Sequence, residues 1–423
     1  MTILYVSYDG ALEPLGESQV VAYLELLSRR HAITLLSFEK GRDLADVGRV
    51  DALRRRLATA GLRWVPLRYH KYPPVLSTVW DVAHGIMAAL REARREPIHI
   101  THARGYVAAL VALALRRLVG ARFIFDMRGF WPDEKVAAGH WRAGSALYRM
   151  TKRYERRFFA SADAVVSLTA AGIDAARRLG YVTRPGVPLE IIPTCTDLRR
   201  FSPGPRDAAL AAWLGLGPGP VIGCVGSMSN WYLRQPMLSY LARATAALEQ
   251  LTVLIVTQEN HDSLRAEGIA AGLPSDRLRI TRAAFSEMPA HLRLMDLAVF
   301  FIKPTLSKAG SAATKLGEFL ATGVPVIIND GIGDSGRIVR DGRAGIVLPD
   351  VTPESLAGSL PAVRVLLDDP DIRRRCRVTA QRWFDLDDGV QRYASLYARL
   401  GAATPRAGSS TLMSAAQDGT ARE

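Results

Sequence analysis

Short apolar runs alternate with longer amphipathic stretches along the first 190 residues. The runs predict six strands, at Ile3–Ser7, Ile33–Phe38, Arg63–Leu67, Ile98–His102, Phe123–Asp126 and Ala164–Leu168. Helical spacing of apolar residues lies between them, for example at Ser18–Arg30 and Val107–Leu118. Buried strands that alternate with helices are typical of a parallel sheet covered by helices.

A second series of the same kind follows a change in composition. Residues 181–205 are rich in Pro, Gly and Arg, which predicts a domain boundary. The next predicted strands are Val221–Val225, Leu251–Thr257, Leu278–Thr281, Leu297–Ile302 and Val324–Asn329. We therefore expect two Rossmann-like α/β domains, at residues 1–190 and 205–385, with ligands at the carboxyl ends of their strands. A last helix is predicted at 386–400, and the small, polar residues 401–423 predict a disordered tail.

The segment Ser311–Asp334 carries the most specific chemistry. Gly323 and Pro325 predict the end of a helix that is followed by a buried strand. Thr314, Lys315 and Glu318 are spaced three and four residues apart, so they share a face near the helix start. Unpaired backbone N–H groups, a hydroxyl and an ammonium together favour an anion, and a glutamate one turn later suits a sugar hydroxyl. The pattern indicates a site for a nucleotide diphosphate.

Three stretches resemble the retaining glycosyltransferases of glycosyltransferase family 4, which have the GT-B fold. They are ILYVSYDGALEPLGESQVVAYLELL at the N-terminus, IIPTCTDLRRFSP at Ile191–Pro203, and the segment from Ser311 to Asp334. The resemblance covers roughly residues 1–400. It implies two Rossmann-like domains that face each other across a cleft, with the final helix packing back on the N-terminal domain. It also implies transfer of a sugar, as by a hexosyltransferase, from a nucleotide-diphosphate sugar to a glycan or lipid-linked acceptor, without a metal or other cofactor.

On the donor side, the resemblance points to Gly226, Ser227, Ser311, Thr314, Lys315 and Glu318. The family often has an Arg after the glycine at 226 and a Lys a few residues on, but this chain lacks that pair. Lys315 is the first candidate to replace its charge, Lys303 the second and Lys308 the third, with solvated loop lysines as the alternative. The first glutamate of the family's donor motif is replaced by Gly310, so the usual catalytic assignment does not transfer directly.

On the acceptor side, Gly16 permits a tight turn, and Ser18 or Gln19 can offer a side chain near the diphosphate. The alternative for Ser18 is a simple helix N-cap. Asp126 and Arg128 follow a predicted strand, where Asp126 can orient or deprotonate an acceptor hydroxyl and Arg128 can hold phosphate. The alternative is a structural Asp126–Arg128 pair. His102 is a weaker candidate at the same edge.

Composition excludes several classes of protein. The 423 residues are 48% apolar and 23% charged, as in ordinary globular domains, and no apolar run is long enough to cross a membrane. Three distant cysteines predict neither a disulfide framework nor a zinc site, and no convincing Asp-x-Asp pair predicts a metal. These features, with no signal segment at the N-terminus, predict a cytoplasmic location.

The formal net charge of +14 raises the possibility of a polyanionic partner. No recognisable nucleic-acid module accompanies it, so no specific nucleic-acid partner is expected. Arg142–Phe159 predicts an amphipathic helix with Leu147, Met150, Tyr154 and Phe158 on one stripe and five basic residues on the other face. It is either a surface helix or a contact with anionic lipid at the inner face of the membrane.

The expected function is glycosyl transfer in polysaccharide or glycoconjugate synthesis. Two alternatives remain on the residues alone. One is a noncatalytic nucleotide-sugar or glycan-binding protein, motivated by Gly310. The other is a nucleotide-sugar epimerase of similar fold, for which a richer set of carboxylates is expected.

Overall fold

The computed structural model describes residues 1–402, and the rest of the predicted tail lies outside the described residues. The N-terminal sheet has seven parallel strands: β1 Thr2–Ser7, β2 Ala32–Glu39, β3 Arg63–Arg68, β4 Ile100–Arg104, β5 Arg122–Met127, β6 Ala164–Ser167 and β7 Leu189–Ile191. Their order across the sheet is β3-β2-β1-β4-β5-β6-β7. The helices are α1 Pro14–Gly16, α2 Ala22–Leu27, α3 Gly41–Leu44, α4 Val47–Thr59, α5 Leu76–Arg95, α6 Gly105–Leu118, α7 Trp131–Ala137, α8 Ala146–Ser161 and α9 Ala170–Arg178. A π-helical turn, Glu17–Val21, joins α1 to α2.

The second sheet has six parallel strands: β8 Val221–Val225, β9 Thr252–Val256, β10 Leu278–Thr281, β11 Leu297–Phe300, β12 Val326–Asn329 and β13 Gly345–Leu348. Their order is β10-β9-β8-β11-β12-β13. The helices are α10 Ala208–Trp213, α11 Arg234–Ala247, α12 His261–Ala270, α13 Met288–Arg293, α14 Thr314–Thr322, α15 Ser335–Gly342, α16 Pro353–Gly358, α17 Leu360–Leu367, α18 Ile372–Trp383 and α19 Leu386–Ala402. Two 3₁₀ turns lie at Ser275–Arg277 and Leu306–Gly310.

This arrangement confirms the predicted fold class of two parallel α/β domains, and all eleven predicted strands are present within one to two residues at most ends. Two strands were missed. β7 has only three residues and β13 four, beginning at Gly345, so neither gives an apolar run long enough to predict a strand. Gly323 ends α14 in the left-handed conformation, with φ of +82°, as its position predicted.

Helices cover both faces of the N-terminal sheet. The core on one face is built with α2, α4 and α19, and the core on the other with α5, α6, α8 and α9. The last helix therefore crosses back to the first domain and buries Tyr393, Leu396 and Tyr397 there. Within the described residues it runs to Ala402, two residues beyond the predicted end.

The predicted apolar stripe of the basic helix is partly wrong. In α8, Phe158 is buried, but Met150 and Tyr154 are 48% and 38% exposed. They lie among the exposed residues Arg149, Arg153 and Arg157. The buried positions are Glu155, Phe158 and Phe159 instead, because Glu155 reaches inward to Tyr106 and Lys152.

Two crossings join the domains, and they touch each other. Residue Thr196 of the first crossing forms an isolated parallel bridge with Asp385 of the second. The first crossing is also tied to the helical region after β1. Gln19 Nε2 donates to the Cys195 carbonyl at 3.0 Å, and the Cys195 N–H donates to the Tyr23 hydroxyl at 2.8 Å. These two crossings, which we call the hinge, are therefore paired with each other, and the first is held by hydrogen bonds to the N-terminal domain.

The returning helix α19 is fixed to the sheet by a buried polar cluster. The Tyr393 hydroxyl donates to Asp126 Oδ2 at 3.1 Å, and the Tyr397 hydroxyl lies 2.7 Å from His102 Nδ1. Asp126 and His102 are both fully buried; Asp126 lies near the carboxyl end of β5, whereas His102 lies in the middle of β4. Buried polar groups that are satisfied in this way hold elements in one arrangement.

Replacing Tyr393 by Phe should loosen α19 without changing the core volume. The buried Asp126 carboxylate then loses one donor, and hydrogen bonds to charged groups contribute about 1.5–3 kcal/mol. Native-state hydrogen exchange should show a loss of protection of that size in the α19 amides. Tyr154→Phe, which removes a hydroxyl from an exposed side chain, is the matched control. Equal protection in the two variants would contradict this account of the docking.

Candidate functional site

The carboxyl edges of the two sheets face each other and touch through the Leu306–Ser311 segment. Lys308 Nζ donates to Glu134 Oε1 of the N-terminal domain at 2.8 Å, and the Thr169 hydroxyl donates to the Ala309 carbonyl at 2.6 Å. Asp334 accepts hydrogen bonds from the backbone N–H groups of Ala170 and Ala171, at 2.7 and 3.2 Å. These contacts hold the domains together on the side of the cleft away from the hinge.

Gly310 lies at a close approach of the backbones of the two domains. A Cβ added at Gly310 would lie 3.2 Å from the Gly129 Cα and 3.3 Å from the Met127 Cε. From the other side, a Cβ added at Gly172 would lie 2.9 Å from the Gly310 Cα. The position that carries a glutamate in the resembled family is therefore filled by the N-terminal domain in this chain.

Lys315 and Gly226 lie together at the start of α14. Lys315 Nζ donates to the Val225 carbonyl at 2.5 Å and lies 3.7 Å from the centre of the Tyr232 ring. A Cβ added at Gly226 would be 3.5 Å from that ammonium, and Gly226 has a φ of +82°, which favours glycine. Thr314 is the first residue of α14, and Ala313 before it offers no side-chain cap. The place where Lys315 meets the Gly226 turn, which we call the anion corner, thus combines a cation with backbone N–H groups that no side chain caps. This combination favours binding of an anion.

The turn after Gly226 already holds a carboxylate that sequence analysis missed. Glu259 Oε1 accepts hydrogen bonds from the Ser227 hydroxyl at 2.8 Å, the Met228 N–H at 3.0 Å and the Ser229 hydroxyl at 2.8 Å. Its other oxygen accepts from Arg234. Although partial burial opposes it, these hydrogen bonds keep the pKa of Glu259 below its ordinary value. The sequence feature that could have indicated this role of Glu259 is its position just after β9, at the carboxyl edge of the sheet.

Glu318 lies one turn beyond Lys315 and lines a cavity of about 950 Å³ between the domains. Other walls come from Ser18 and Gln19, the hinge residues around Thr196, and Arg200 and Phe285, whose guanidinium and ring are 4.0 Å apart. Burial raises the pKa of Glu318 to about 7, and the charges of Lys315 and Arg200 oppose that rise. Of the predicted donor residues, Glu318 alone lines this cavity, where it meets Ser18 and Gln19 of the predicted phosphate loop.

The loop after β1 differs locally from its prediction. Gly16 has helical φ of −63°, and glycine is required because an added Cβ would lie 1.9 Å from the Gly10 carbonyl oxygen. Ser18 lies within the π-helical turn, so the N-cap alternative is wrong. Gln19 is buried; within residues 1–402 its Oε1 and the neighbouring Thr196 hydroxyl have no hydrogen-bond partner. Such unsatisfied buried groups beside a cavity favour a polar ligand or water there.

The side chains of Asp126 and Arg128 differ in how far they are buried. Asp126 is 0% exposed, whereas the Arg128 side chain is 20% exposed, with 3.5 Å between Nη1 and Oδ1. Burial alone would raise the pKa of Asp126, but Arg128 and the hydrogen bond with His102 keep it below its ordinary value. Their contact is the structural pair that the sequence left as an alternative, with only Arg128 reaching solvent.

The remaining candidates lie around this corner. Ser311 is half-buried, 3.4 Å from Glu134 Oε1. Lys303 is exposed beyond the end of β11, and Lys308 is engaged by Glu134 and by the Trp231 ring at 3.9 Å. Of the three candidate lysines, Lys315 is the one beside the Gly226 turn.

In the part of the chain that the structure describes, no group of three or more His, Cys, Asp or Glu is arranged to hold a metal ion. None of its helices is both long and apolar enough to pass through a bilayer.

Comparison with known families matches each domain separately. Residues 18–195 match the family described as "Glycosyl transferase 4-like domain", and residues 219–367 match "Glycosyl transferases group 1". Relatives include the D-inositol 3-phosphate glycosyltransferases of Nocardia farcinica, 31% identical over 53% of this chain, and Geodermatophilus obscurus, 30% identical over 61%. The matched regions span 49% and 58% of those relatives' lengths.

Solved structures share the fold at low sequence identity. Sucrose-phosphate synthase of Thermosynechococcus elongatus superposes with a TM-score of 0.69 at 16% identity, over 96% of this chain and 100% of that one. The Anabaena protein HepE, in complex with UDP and glucose, superposes with a TM-score of 0.66 at 17% identity, over 94% of this chain and 99% of that one. These likenesses confirm the predicted GT-B architecture.

Glu318 should titrate about two to three pH units above an ordinary glutamate, because burial disfavours its charged form. In protein labelled with ¹³C at glutamate carboxyls, the resonance that is missing from Glu318→Gln should shift with a midpoint near pH 7. A Glu318 midpoint in the range of an ordinary glutamate would show that the carboxyl is solvated.

Restoring a glutamate at position 310 should separate the domains rather than rebuild a family motif. The side chain has no room against Gly129 and Met127, and overpacking of this kind costs about 1–3 kcal/mol. We expect Gly310→Glu to raise the radius of gyration measured by small-angle X-ray scattering. Gly217→Glu is the matched control, since an added Cβ there meets nothing within 4 Å. An unchanged radius for Gly310→Glu would refute the close contact.

Proposed function

The chain belongs to the glycosyl transferases group 1 family, and we propose that it transfers a sugar from a nucleotide-diphosphate sugar to a glycan or lipid-linked acceptor. The transfer retains the anomeric configuration and serves polysaccharide or glycoconjugate synthesis. The donor binds the C-terminal domain and the acceptor the N-terminal one. The inter-domain hydrogen bonds Lys308–Glu134 and Thr169–Ala309, and the cavity lined by Glu318, Ser18 and Gln19, support an inter-domain site.

The position of Lys315 is the observation that carries this proposal. Its ammonium lies against the Gly226 turn and belongs to the first turn of α14, so one corner offers a charge and helix-end amides to the same anion. A departing nucleoside diphosphate accumulates negative charge, and donors fixed in advance around it lower the barrier to its departure. Ser311, Thr314 and the exposed Lys303 complete the proposed donor-side set.

Glu318 fits the nucleoside end of the donor. It lies on the helix that starts at the anion corner and faces the cavity shared with Arg200 and Phe285. A carboxylate there accepts hydrogen bonds from ribose hydroxyls, and Phe285 with its stacked guanidinium provides a flat surface for a base. Structures of the same fold support this class of ligand, since Anabaena HepE holds UDP, UDP with glucose, or UDP-glucose.

Because its hydroxyl donates to Glu259, Ser227 has a role other than direct phosphate binding in this proposal. The Glu259 carboxylate uses the hydroxyls of Ser227 and Ser229 and is balanced by Arg234. We assign Gly226 to the close approach of the phosphate, and Ser227 to holding the turn. The charge that opposes the diphosphate then comes from Lys315.

On the N-terminal side, Arg128 is the residue we place against the departing phosphate or an acidic acceptor. Asp126 acts through it, as a positioning residue, because the carboxylate is buried and fixed by Tyr393. Gly16, Ser18 and Gln19 form the loop beside the diphosphate and acceptor. Gln19 Oε1, which lacks a partner within residues 1–402, fits a hydroxyl or water there.

The proposed location is the cytoplasm, at the inner face of the membrane. The exposed arginines of α8, Arg149, Arg153 and Arg157, support contact with anionic lipid. Each basic residue near such a surface contributes about 1 kcal/mol.

A noncatalytic binding protein is the second candidate, and Gly310 is the observation that favours it. The glutamate of the resembled motif is absent, and the N-terminal domain fills its place. Donor binding without hydrolysis or transfer would establish this candidate. Conversion of the donor sugar without a nucleoside diphosphate product would instead point to an epimerase.

The proposed activity is tested with nucleotide sugars screened by thermal shift, followed by release of the nucleoside diphosphate. Lys315→Ala should weaken binding of that product by about ten- to a hundredfold, since a charged hydrogen bond contributes about 1.5–3 kcal/mol. Glu318→Gln should remove the improvement in binding that accompanies ionisation of Glu318 as the pH rises through about 7.

Lys71→Ala is the matched control for charge, because this lysine is exposed and lies on the N-terminal domain, outside the proposed donor site. Loss of product binding in Lys303→Ala with normal binding in Lys315→Ala would move the anion site. Absence of binding by every nucleotide sugar would reject the proposed function.

A further inference from the structure

The largest exposed apolar side chains concentrate at the beginning of α5. Leu76, Val79 and Trp80 are 67%, 60% and 57% exposed, and Tyr72 just before the helix is 70% exposed. Met87, two turns further on, is 46% exposed. A cluster of this kind on a folded domain usually marks a surface that contacts another molecule.

These residues form a stripe with helical spacing. Leu76, Val79, Trp80, Ala83 and Met87 recur every three or four residues and are all exposed. The opposite side of α5 is buried on the sheet and on α6, where an added Cβ at Gly85 would touch Phe38 and Val111 at 3.1 Å. The helix therefore has two apolar sides, and the outer one, which we call the α5 stripe, has no partner among residues 1–402.

Positive charges flank the α5 stripe; the two acids within the helix, Asp81 and Glu92, are turned inward, whereas Glu96 at its end is exposed and accepts a hydrogen bond from the Thr2 hydroxyl. Lys71 precedes it and Arg91, Arg94 and Arg95 follow it, all exposed. Asp81 is buried against Tyr8 and His70, and Glu92 is paired with Arg63. The outer surface of the helix thus joins apolar side chains to cations.

Helix α8 presents the same combination on the same side of the sheet. Both α5 and α8 contribute to the core on that side, together with α6. The outer face of α8 carries Met150 and Tyr154 between Arg149, Arg153 and Arg157, while its one glutamate, Glu155, is buried. Two separate helices therefore offer apolar and basic groups on one face of the N-terminal domain.

We infer that the α5 stripe inserts into an anionic lipid surface. Leu76, Val79, Trp80 and Met87 enter the boundary between headgroups and acyl chains, and the flanking Lys and Arg meet headgroup phosphates. Tyr and Trp suit this depth because each has an apolar ring and a polar end. The basic face of α8 adds charge to the contact, whereas the α5 stripe adds burial of apolar surface. This inference does not depend on the proposed transfer reaction.

The position of the stripe connects it with the cleft. The chain leaves β3 at the carboxyl edge, places His70 against Asp81 at 2.6 Å and Tyr8 against the same carboxylate at 2.8 Å, and then enters α5. The stripe consequently starts beside the cleft edge of the N-terminal domain. If the proposed function holds, a lipid surface bound there brings the headgroup of a lipid-linked acceptor to the acceptor side.

The test is sedimentation of the full-length protein with vesicles of phosphatidylglycerol and phosphatidylcholine, in the absence of donor and acceptor. Leu76→Ser with Trp80→Ser should lower the partition coefficient at least about tenfold, because two buried apolar side chains are lost. Trp213→Ser is the matched control, since Trp213 is 72% exposed on α10 of the other domain. Arg153→Glu with Arg157→Glu should weaken binding to these vesicles but not to pure phosphatidylcholine.

Brominated acyl chains give a second measurement. They should quench part of the wild-type tryptophan fluorescence, and Trp80→Phe, which stays apolar, should bind normally but lose that quenching. Undiminished sedimentation of the Leu76→Ser, Trp80→Ser variant, or unaltered quenching in Trp80→Phe, would overturn the inference. So would a wild-type dimer, seen by light scattering, that this double variant converts to a monomer without affecting vesicle binding. Because no donor is present, none of these outcomes bears on sugar transfer.

Discussion

The backbone contact between Gly310 and the N-terminal domain is the constraint on which the candidate site depends. Three glycines, Gly129, Gly172 and Gly310, allow two main chains to meet where side chains would keep the domains apart. Around that contact, Lys308 pairs with Glu134, and Asp334 accepts from the first amides of α9. The same segment leads directly into α14, so the contact sets where Lys315 and Glu318 stand relative to the opposite domain.

This constraint changes the electrostatics of the proposed reaction. A glutamate at position 310 would place a negative charge near the transferred sugar, but here that place is occupied by Met127 and Gly129. Arg234 at the neighbouring turn pairs with both Glu259 and Glu267, so this cluster leaves no positive charge for phosphate. In the proposed site, the positive groups placed to meet a diphosphate are Lys315, the amides at the start of α14, the exposed Lys303 and the partly exposed Arg128. Stabilisation of the leaving group thus rests on few charges.

The sequence predicted the parts of this molecule that local pattern determines. Strands such as Val221–Val225 are continuous apolar runs because both faces of a parallel sheet are covered, and Gly323 ends α14 for a local steric reason. What it missed depends on tertiary contact. Asp126 was predicted to be an accessible acid, because no residue near it in the sequence indicates that the Tyr393 hydroxyl bonds to it in the folded chain. Met150 was expected to be buried, but the helical spacing of apolar residues alone does not determine which side of a helix packs against the core. Glu259 joins the Gly226 turn only when β8 and β9 lie side by side.

The two ends of the cleft are held by different kinds of contact. At the hinge, Thr196 pairs with Asp385, and Gln19 and Tyr23 hold the neighbouring backbone. Glu318 lies in the cavity beside that hinge, whereas Gly310 lies in the contact with Gly129 and Met127. In the proposed reaction, the nucleoside therefore binds beside the hinge and the sugar lies beside the glycine contact, where the packed backbones exclude water from the reacting bond.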